Sequence, residues 1–277
     1  MRKLLLFIAL LMGAAALQAQ HWLGLAMEAD MAWQLDRIPL TTAKIGGGTA
    51  LDLRYQLQVN LLTVETGIGA AYTLNALGIQ DTTLQIPMMD NRGKPLTFVG
   101  QLKNRQDLSR NLALHIPLLI GVEYRRFYGL AGAKVSVNLL SRTQQTALLR
   151  TSGEYDMYYE PLTDMPEHGF HDYQRQETRG SMRVQTDLRV AAEVGMVFNT
   201  YRGYTKYRLG AFVEYGVFDV RKSEAKELLT ADMSDGMYLT MNHVYSSFYQ
   251  ASSPVNNLLV GLRFSILFYL SPVSSKK

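Results

Sequence analysis

Three groups of residues have types and spacings that could do chemistry. In "EHGFHD" (167–172), Glu167, His168, His171 and Asp172 lie close together, and imidazole with carboxylate can hold a transition metal. Histidines at this spacing in a loop are more simply solvated side chains, and no metal is expected. "KIGGGTALD" (44–52) invites comparison with a phosphate-binding loop. No Lys-Ser/Thr pair follows its glycines and the segment reads as a strand, so no cofactor is expected. The third group is dispersed: His115, Ser136, Glu65 and Glu123 share the inward parity of predicted strands. A serine, a histidine base and a carboxylate within hydrogen-bond reach would make a hydrolase acting on lipid. Packing of a barrel interior accounts for all four without chemistry, and no enzyme activity is expected. The chain has no cysteine, which excludes disulfide frameworks, thiolate metal sites and cysteine nucleophiles.

The elements that must position these residues alternate with period two. "MRVQTDLRVAAEVGMVF" (182–198) places Met182, Val184, Leu188, Val190, Ala192, Val194, Met196 and Phe198 on one parity, with Thr186 as its polar member. Arg183, Gln185, Asp187, Arg189 and Glu193 lie between them. The same pattern recurs over 23–33, 45–57, 62–72, 112–124, 207–215 and 258–268, and less tidily over 127–139. Eight strands are expected. Pro117 inside one of them cannot donate to a ladder and marks a bulge or an edge.

Tight turns around Gln58–Asn60, Arg125–Arg126 and Asn199–Gly203 alternate with a modest loop (Asp36–Thr42) and three long ones, near 75–111, 140–182 and 221–254. That arrangement gathers the long loops at one end of an up-and-down meander, as in outer-membrane barrels. The expected fold is all-β: an eight-stranded antiparallel up-and-down transmembrane β-barrel with long loops at one end.

Alternation alone leaves open which face is inside. The strands exceed the usual 5–6 residues of soluble sheets and reach the roughly 9–11 that cross a bilayer. The polar face is rich in small residues such as Gly48, Gly69 and Gly210, which suit a narrow filled lumen. Its charges nearly balance: Glu28, Asp30, Asp52, Glu65, Glu123, Asp187, Glu193 and Glu214 against Lys44, Arg54, Lys134, Arg183, Arg189, Arg208 and Arg263, with His115 besides. Turned to lipid, each base near the midplane would cost about 2–4 kcal/mol, so these residues are expected inside as a paired network. The outward aromatics fall at strand ends: Tyr55, Tyr124, Phe127, Phe198, Tyr207 and Phe268 at the turn end, Trp33, Tyr72 and Tyr215 near the loop end. Two such rings are the interfacial girdles of a membrane barrel.

"MRKLLLFIALLMGAAALQAQ" has a basic start, an apolar run and small residues before Ala19, the layout of a secretory signal peptide over 1–19 that leaves 20–277 as the barrel. The net charge of +4 is small and scattered, which argues against a nucleic-acid partner. "NLALHIPLLIGVEYRRFYGLAGAKVSVNLL" (111–140) and "NNLLVGLRFSILFYL" (256–270) resemble the fourth-to-fifth hairpin and the closing strand of small Bacteroidetes outer-membrane β-barrels. That group includes the PorT-like proteins and is similar in architecture to the OmpA barrel. The resemblance implies an integral barrel in the outer membrane and brings no catalytic residues with it.

The expected role is structural or interactive: envelope anchoring, assembly of a surface or secretion complex, or ligand binding by the loops. Outer-membrane lipid is the expected partner, with a protein or glycan possible at the three long loops. Those loops hold Tyr155, Tyr158, Tyr159, Phe170, Tyr173, Tyr238, Tyr245, Phe248 and Tyr249, which either bind a partner or pack the loops into a cap. Eight strands leave no wide lumen, so porin activity is not expected. A soluble lipocalin-like carrier and a lipid-acting hydrolase are the alternatives.

Overall fold

Each alternating segment forms a strand in the computed structural model, which describes residues 19–36, 40–90, 92–182, 184–201, 203–219, 227–232, 238–246 and 254–270, the Glu167 side chain excepted. The strands are β1 (Gln20–Leu35), β2 (Thr41–Val59), β3 (Leu62–Ile79), β4 (Thr82–Met89), β5 (Pro95–Tyr124), β6 (Phe127–Glu154), β7 (Gln174–Ser181), β8 (Asp187–Asn199), β9 (Thr205–Gly216), β10 (Leu229–Asp232), β11 (Tyr238–Met241) and β12 (Asn256–Leu270). Eight of them run antiparallel in the order β5-β3-β2-β1-β12-β9-β8-β6, and pairing of β5 with β6 closes the cylinder. This is the expected eight-stranded meander. Asn60 (φ 53°) and Arg125 (φ 56°) take the left-handed conformations that two-residue hairpin turns require at the β2–β3 and β5–β6 connections.

Pro117 sits inside the barrel, where β5 loses its ladder to β3 between Leu118 and His115. The Thr66 hydroxyl donates to the Pro117 carbonyl (2.9 Å) across that gap, while pairing with β6 continues undisturbed. The missing N–H therefore costs no ladder bond on the β6 side.

The three long segments depart from expectation. Most of 75–111 is strand, as β3, β4 and β5 run through it, and β6 and β7 occupy much of 140–182. In this projecting part the inward face of β5 and β6 turns apolar: Leu96, Phe98, Leu102, Ala147 and Leu149 pack with Phe170, Leu229 and Met241. The alternation continues but its polarity inverts, which is why a search for apolar residues outside missed it. Of 221–254, only 227–232, 238–246 and 254 are described. They form the β10–β11 hairpin and a short turn that packs Val244 and Tyr245 against Leu77, Ile79 and Met182 over the mouth of the barrel.

Two expectations about strand register need correcting. Lys44 lies on the outer surface, not in the interior network. An irregularity between Lys44 and Gly47 inserts an extra residue into β2, and one inserted residue flips every side chain beyond it. The alternation from 182 to 198 is not one strand either. The ladder from β6 stops at Ser136↔Asp187 and resumes only at Arg142↔Ser181, so Met182 is buried inside while Leu188 and Val190 face out. The predicted signal peptide, apart from Ala19, and Arg183 lie outside the described residues.

Candidate functional site: an ion-paired lumen under a cap

The wall has a membrane barrel's inverted polarity. Outward side chains of β5 from Leu114 to Tyr124 are apolar and exposed, as are Leu25, Met27, Leu51, Leu53, Ile68, Val190, Val194, Leu209 and Leu262. The aromatics singled out in the sequence fall at two levels of the wall. Tyr55 and Phe268 stand level with Leu23 at the turn end, beside Phe127 opposite Tyr124 and Phe198 opposite Tyr207. Trp33 and Tyr215 share the level of Leu258 at the other end, and Tyr72 that of Leu112. From Leu112 to Tyr124, at about 3.3 Å per residue and a tilt near 40°, the band rises roughly 30 Å, the thickness of a hydrocarbon core.

The inward parity carries the charges. Arg54 is 1% exposed and donates to Glu65 (2.9 Å), Glu28 (2.9 Å) and Asp52 (2.9 Å from Nε). Arg263 pairs with Glu28 (2.6 Å) and Glu193, and Lys134 reaches from β6 to Glu28 (3.3 Å) and Glu214. Arg208 crosses from β9 to Glu65 on β3 (2.8 Å) and Glu123 on β5. Arg189 holds Asp187 (2.8 Å) and Glu214 (3.4 Å). Asp30 is only half-buried, near the loop end. A buried charge without a partner would cost several kcal/mol, so the lumen is stable only as this connected set.

The glycines fit that set. A Cβ on Gly69 would stand 1.7 Å from Asp52 Oδ1, and one on Gly210 would stand 2.3 Å from the Tyr128 hydroxyl. Three members went unrecognised in the sequence. Lys206 donates to Glu123 (2.8 Å) and Gln58 (2.6 Å) and lies 4.1 Å from the centre of the Trp22 ring. Tyr128 donates to Glu193 (2.5 Å). Trp22 and Lys206 could have been found by carrying the strand parity one position further, since they precede Leu23 and Tyr207, and Tyr128 already shares the parity of Lys134 and Ser136 within 127–139.

His115 and Ser136 are brought together, directly opposite each other on β5 and β6. His115 Nε2 lies 2.6 Å from Asp52 Oδ1, and neither His115 Nδ1 nor Ser136 Oγ has a hydrogen-bond partner among the described residues. Asp52, not Glu65 or Glu123, is therefore the carboxylate on this histidine. Glu65 and Glu123 are held by arginines elsewhere. These are the parts of a proton relay, yet both side chains are buried within packed ion pairs. The chamber above them offers about 20 Å³ and is lined by Ala113, Asn138 and Arg189 among others, not by His115 or Ser136. That is space for about one water. His115→Ala is expected to lower unfolding stability by about 1–3 kcal/mol by stripping a partner from buried Asp52, measured by urea titration in lipid vesicles.

Glu28, Asp52 and His115 also present donor atoms within 4.8 Å of one another, a candidate metal group. Arg54, Arg263 and Lys134 already neutralise its carboxylates, so a cation would have to displace them. In the 167–172 segment, His168 stacks loosely on Phe170, His171 turns Nδ1 to the Asp172 carbonyl (2.9 Å), and Asp172 faces Arg150 (3.6 Å). Those side chains diverge.

Some of the loop aromatics pack into the cap and others are exposed. Phe170 and Tyr245 are buried, and Tyr245 donates to Asp36 (2.7 Å). Tyr155 donates to Asp90 (3.3 Å) and Tyr173 to Gln101 (3.0 Å). Tyr158, Tyr159 and Tyr238 remain exposed. Phe248 and Tyr249 lie outside the described residues.

The cap is held by charge as well as by apolar packing. Arg105 chelates Asp107 (2.9 and 3.0 Å) and reaches the Leu228 and Asn242 carbonyls, and Asp107 accepts the Val244 N–H (2.8 Å). His243 is buried beside them, its ring 5.3 Å from that of Tyr245, and its Nδ1 accepts the Tyr245 N–H (3.2 Å). Burial holds this imidazole below its usual range; Asp107 opposes that and Arg105 adds to it. A base with a lowered folded pKa binds fewer protons folded than unfolded, so the cap is fully stable above the unfolded value near 6.5 and weakens as pH falls below it. Protection factors of 238–246, taken against the intrinsic exchange rate at each pH, are expected to fall severalfold between pH 7.5 and 5, and His243→Gln to abolish that dependence.

In comparisons with known proteins, the sequence matches no family model and no curated protein. Among solved structures the chain is similar to Neisserial surface protein A (NspA), at 9% identity over 90% of this chain and 97% of that one, with a TM-score of 0.32. It is also similar to Ail, the attachment invasion locus protein of Yersinia pestis, in complex with the heparin analogue sucrose octasulfate, at 7% identity over 88% and 98%, with a TM-score of 0.30. The fold of this chain rests on its own strand pairing.

Proposed function

We propose that this chain is an integral outer-membrane barrel with a structural or interaction role, and that it is neither an enzyme nor a general porin. One observation carries the reading. Along β5 and β6 the inward face is ionic where the outward face is apolar; farther out, past buried Arg105, Asp107 and Ser109, it turns apolar at Leu96, Phe98, Leu102, Ala147 and Leu149, where the outward face carries Thr97, Gln101, Lys103 and Arg150. A wall surrounded by a single solvent has no reason to invert. A wall that leaves lipid and enters water does. Pairing of β5 with β6 closes the sheet through the apolar band, as lipid requires, and the β6–β8 ladder is interrupted at the band's loop end, level with Leu112 and Leu114.

The projecting sheet and its cap then stand outside the cell, with Tyr158, Tyr159 and Tyr238 as contact area for a protein or glycan partner. A place in envelope anchoring or in a surface or secretion complex, and kinship with the PorT-like barrels, belong to this reading. The reading is tested in planar bilayers, where the purified chain is expected to give no large, stable conductance steps. Partition into the aqueous phase without detergent would instead support a soluble lipocalin-like carrier.

A further inference from the structure

On the outer wall, above the loop-end girdle, β5 and β6 place Arg110 and Arg142 directly opposite each other. Like charges at opposed positions repel, and neither guanidinium has an acidic partner among the described residues. Arg179, on β7, lines the same cleft of about 310 Å³ and is paired with Glu177 (2.7 Å). The row lies one outward position beyond Leu112, which is level with Tyr72 of the girdle, so it sits where headgroups begin. Immediately beneath it is the break in the wall. From 137 to 141 β6 keeps its ladder to β5 but has none on the β7–β8 side, and an open groove of about 660 Å³ there runs past Leu139, Leu140 and Val184, with Asn138, Gln185 and Thr186 also lining it. Two bonds cross the break: Asn138 Nδ2 donates to the Gln185 carbonyl (3.0 Å) and the Met182 N–H to the Ser141 carbonyl (3.3 Å).

We infer that this is a binding site for a phosphorylated lipid of the outer leaflet, with the phosphate between Arg110 and Arg142 and an acyl chain in the groove below. The inference rests on the membrane reading of the barrel. A guanidinium pair binds a phosphate bidentately, and the anion converts their mutual repulsion into attraction. The cleft lies above the groove as a phosphate lies above an acyl chain in such a lipid, and Leu139, Leu140 and Val184 supply apolar contact in a groove that also holds Asn138, Gln185 and Thr186. A free anion would use the arginines alone, and a neutral lipid the groove alone.

The test uses the full chain in detergent micelles, with native mass spectrometry to count bound molecules. The probes are dioleoyl phosphatidic acid, dioleoylglycerol with the same tails, and inorganic phosphate. Heat-modifiable gel mobility reports that each variant is folded, and aqueous partition of the wild type would overturn the membrane reading itself. In a folded, detergent-soluble protein, phosphatidic acid is expected to bind at least tenfold more tightly than either other probe. The Arg110→Gln/Arg142→Gln double variant should lose that preference, while Lys103→Gln, outside the cleft, keeps it. Equal binding of phosphatidic acid by wild type and double variant would overturn the site and leave the barrel reading intact. Binding of inorganic phosphate as tight as that of the lipid would overturn the lipid as occupant.

Discussion

Arg54→Met is expected to cost the barrel about 3–5 kcal/mol, the usual result of removing one partner from a buried, hydrogen-bonded charge set. Arg54 is the cation that Glu28, Asp52 and Glu65 share. The three do not suffer equally when it goes. Glu28 keeps Lys134 and Arg263, and Glu65 keeps Arg208, whereas Asp52 is left with His115 alone. The double variant Arg54→Met/Asp52→Asn should therefore recover part of the loss, so the two effects should not add. Arg54→Lys keeps the charge but cannot reach three carboxylates with one ammonium, and should fall between wild type and methionine. Urea titration of the chain folded into lipid vesicles, read by heat-modifiable mobility, supplies the numbers. A loss under about 1 kcal/mol for methionine would mean the lumen does not depend on its ion pairs.

Period-two alternation sufficed for the eight wall strands and for the inward placement of most of this network, because lipid outside and a narrow lumen inside impose opposite chemistry on successive residues. It failed where a second rule intervened. Lys44 went astray because the irregularity between Lys44 and Gly47 shifts register by one residue, and the glycine run there reads equally well as interior space-making. Met182 was placed outside because the alternation continues, by composition, through a stretch where the ladder has broken. The projecting parts of β5 and β6 were taken for loops because their apolar residues face in, as in a soluble sheet. Lys206, Tyr128 and Trp22 obey the parity but were passed over: the lysine lay just before the stretch read as a strand, and the two rings were not asked whether they face the lumen. The Asp52–His115 contact joins strands that the meander order does not make neighbours. Alternation can place both residues inside, but it cannot set their levels.

Ile116→Arg separates the membrane barrel from a soluble one more sharply than any lumen variant. Ile116 is 56% exposed on the outer wall, midway along the apolar stretch of β5. In lipid an arginine there is expected to cost about 2–4 kcal/mol, because its charge must be dragged toward an interface half a bilayer away. On the same strand, Gln106 faces outward above the girdle, and Gln106→Arg should change stability by no more than about 0.5 kcal/mol, as an exposed position in water does. Were the outer wall bathed in water, the two substitutions would behave alike, since an exposed isoleucine has little packing to lose. The difference between the two costs, measured by urea titration in vesicles, thus reports the solvent around each level of one continuous strand. A difference near zero would remove the lipid from around β5, and with it the explanation of why the inward face changes from ionic to apolar along that strand.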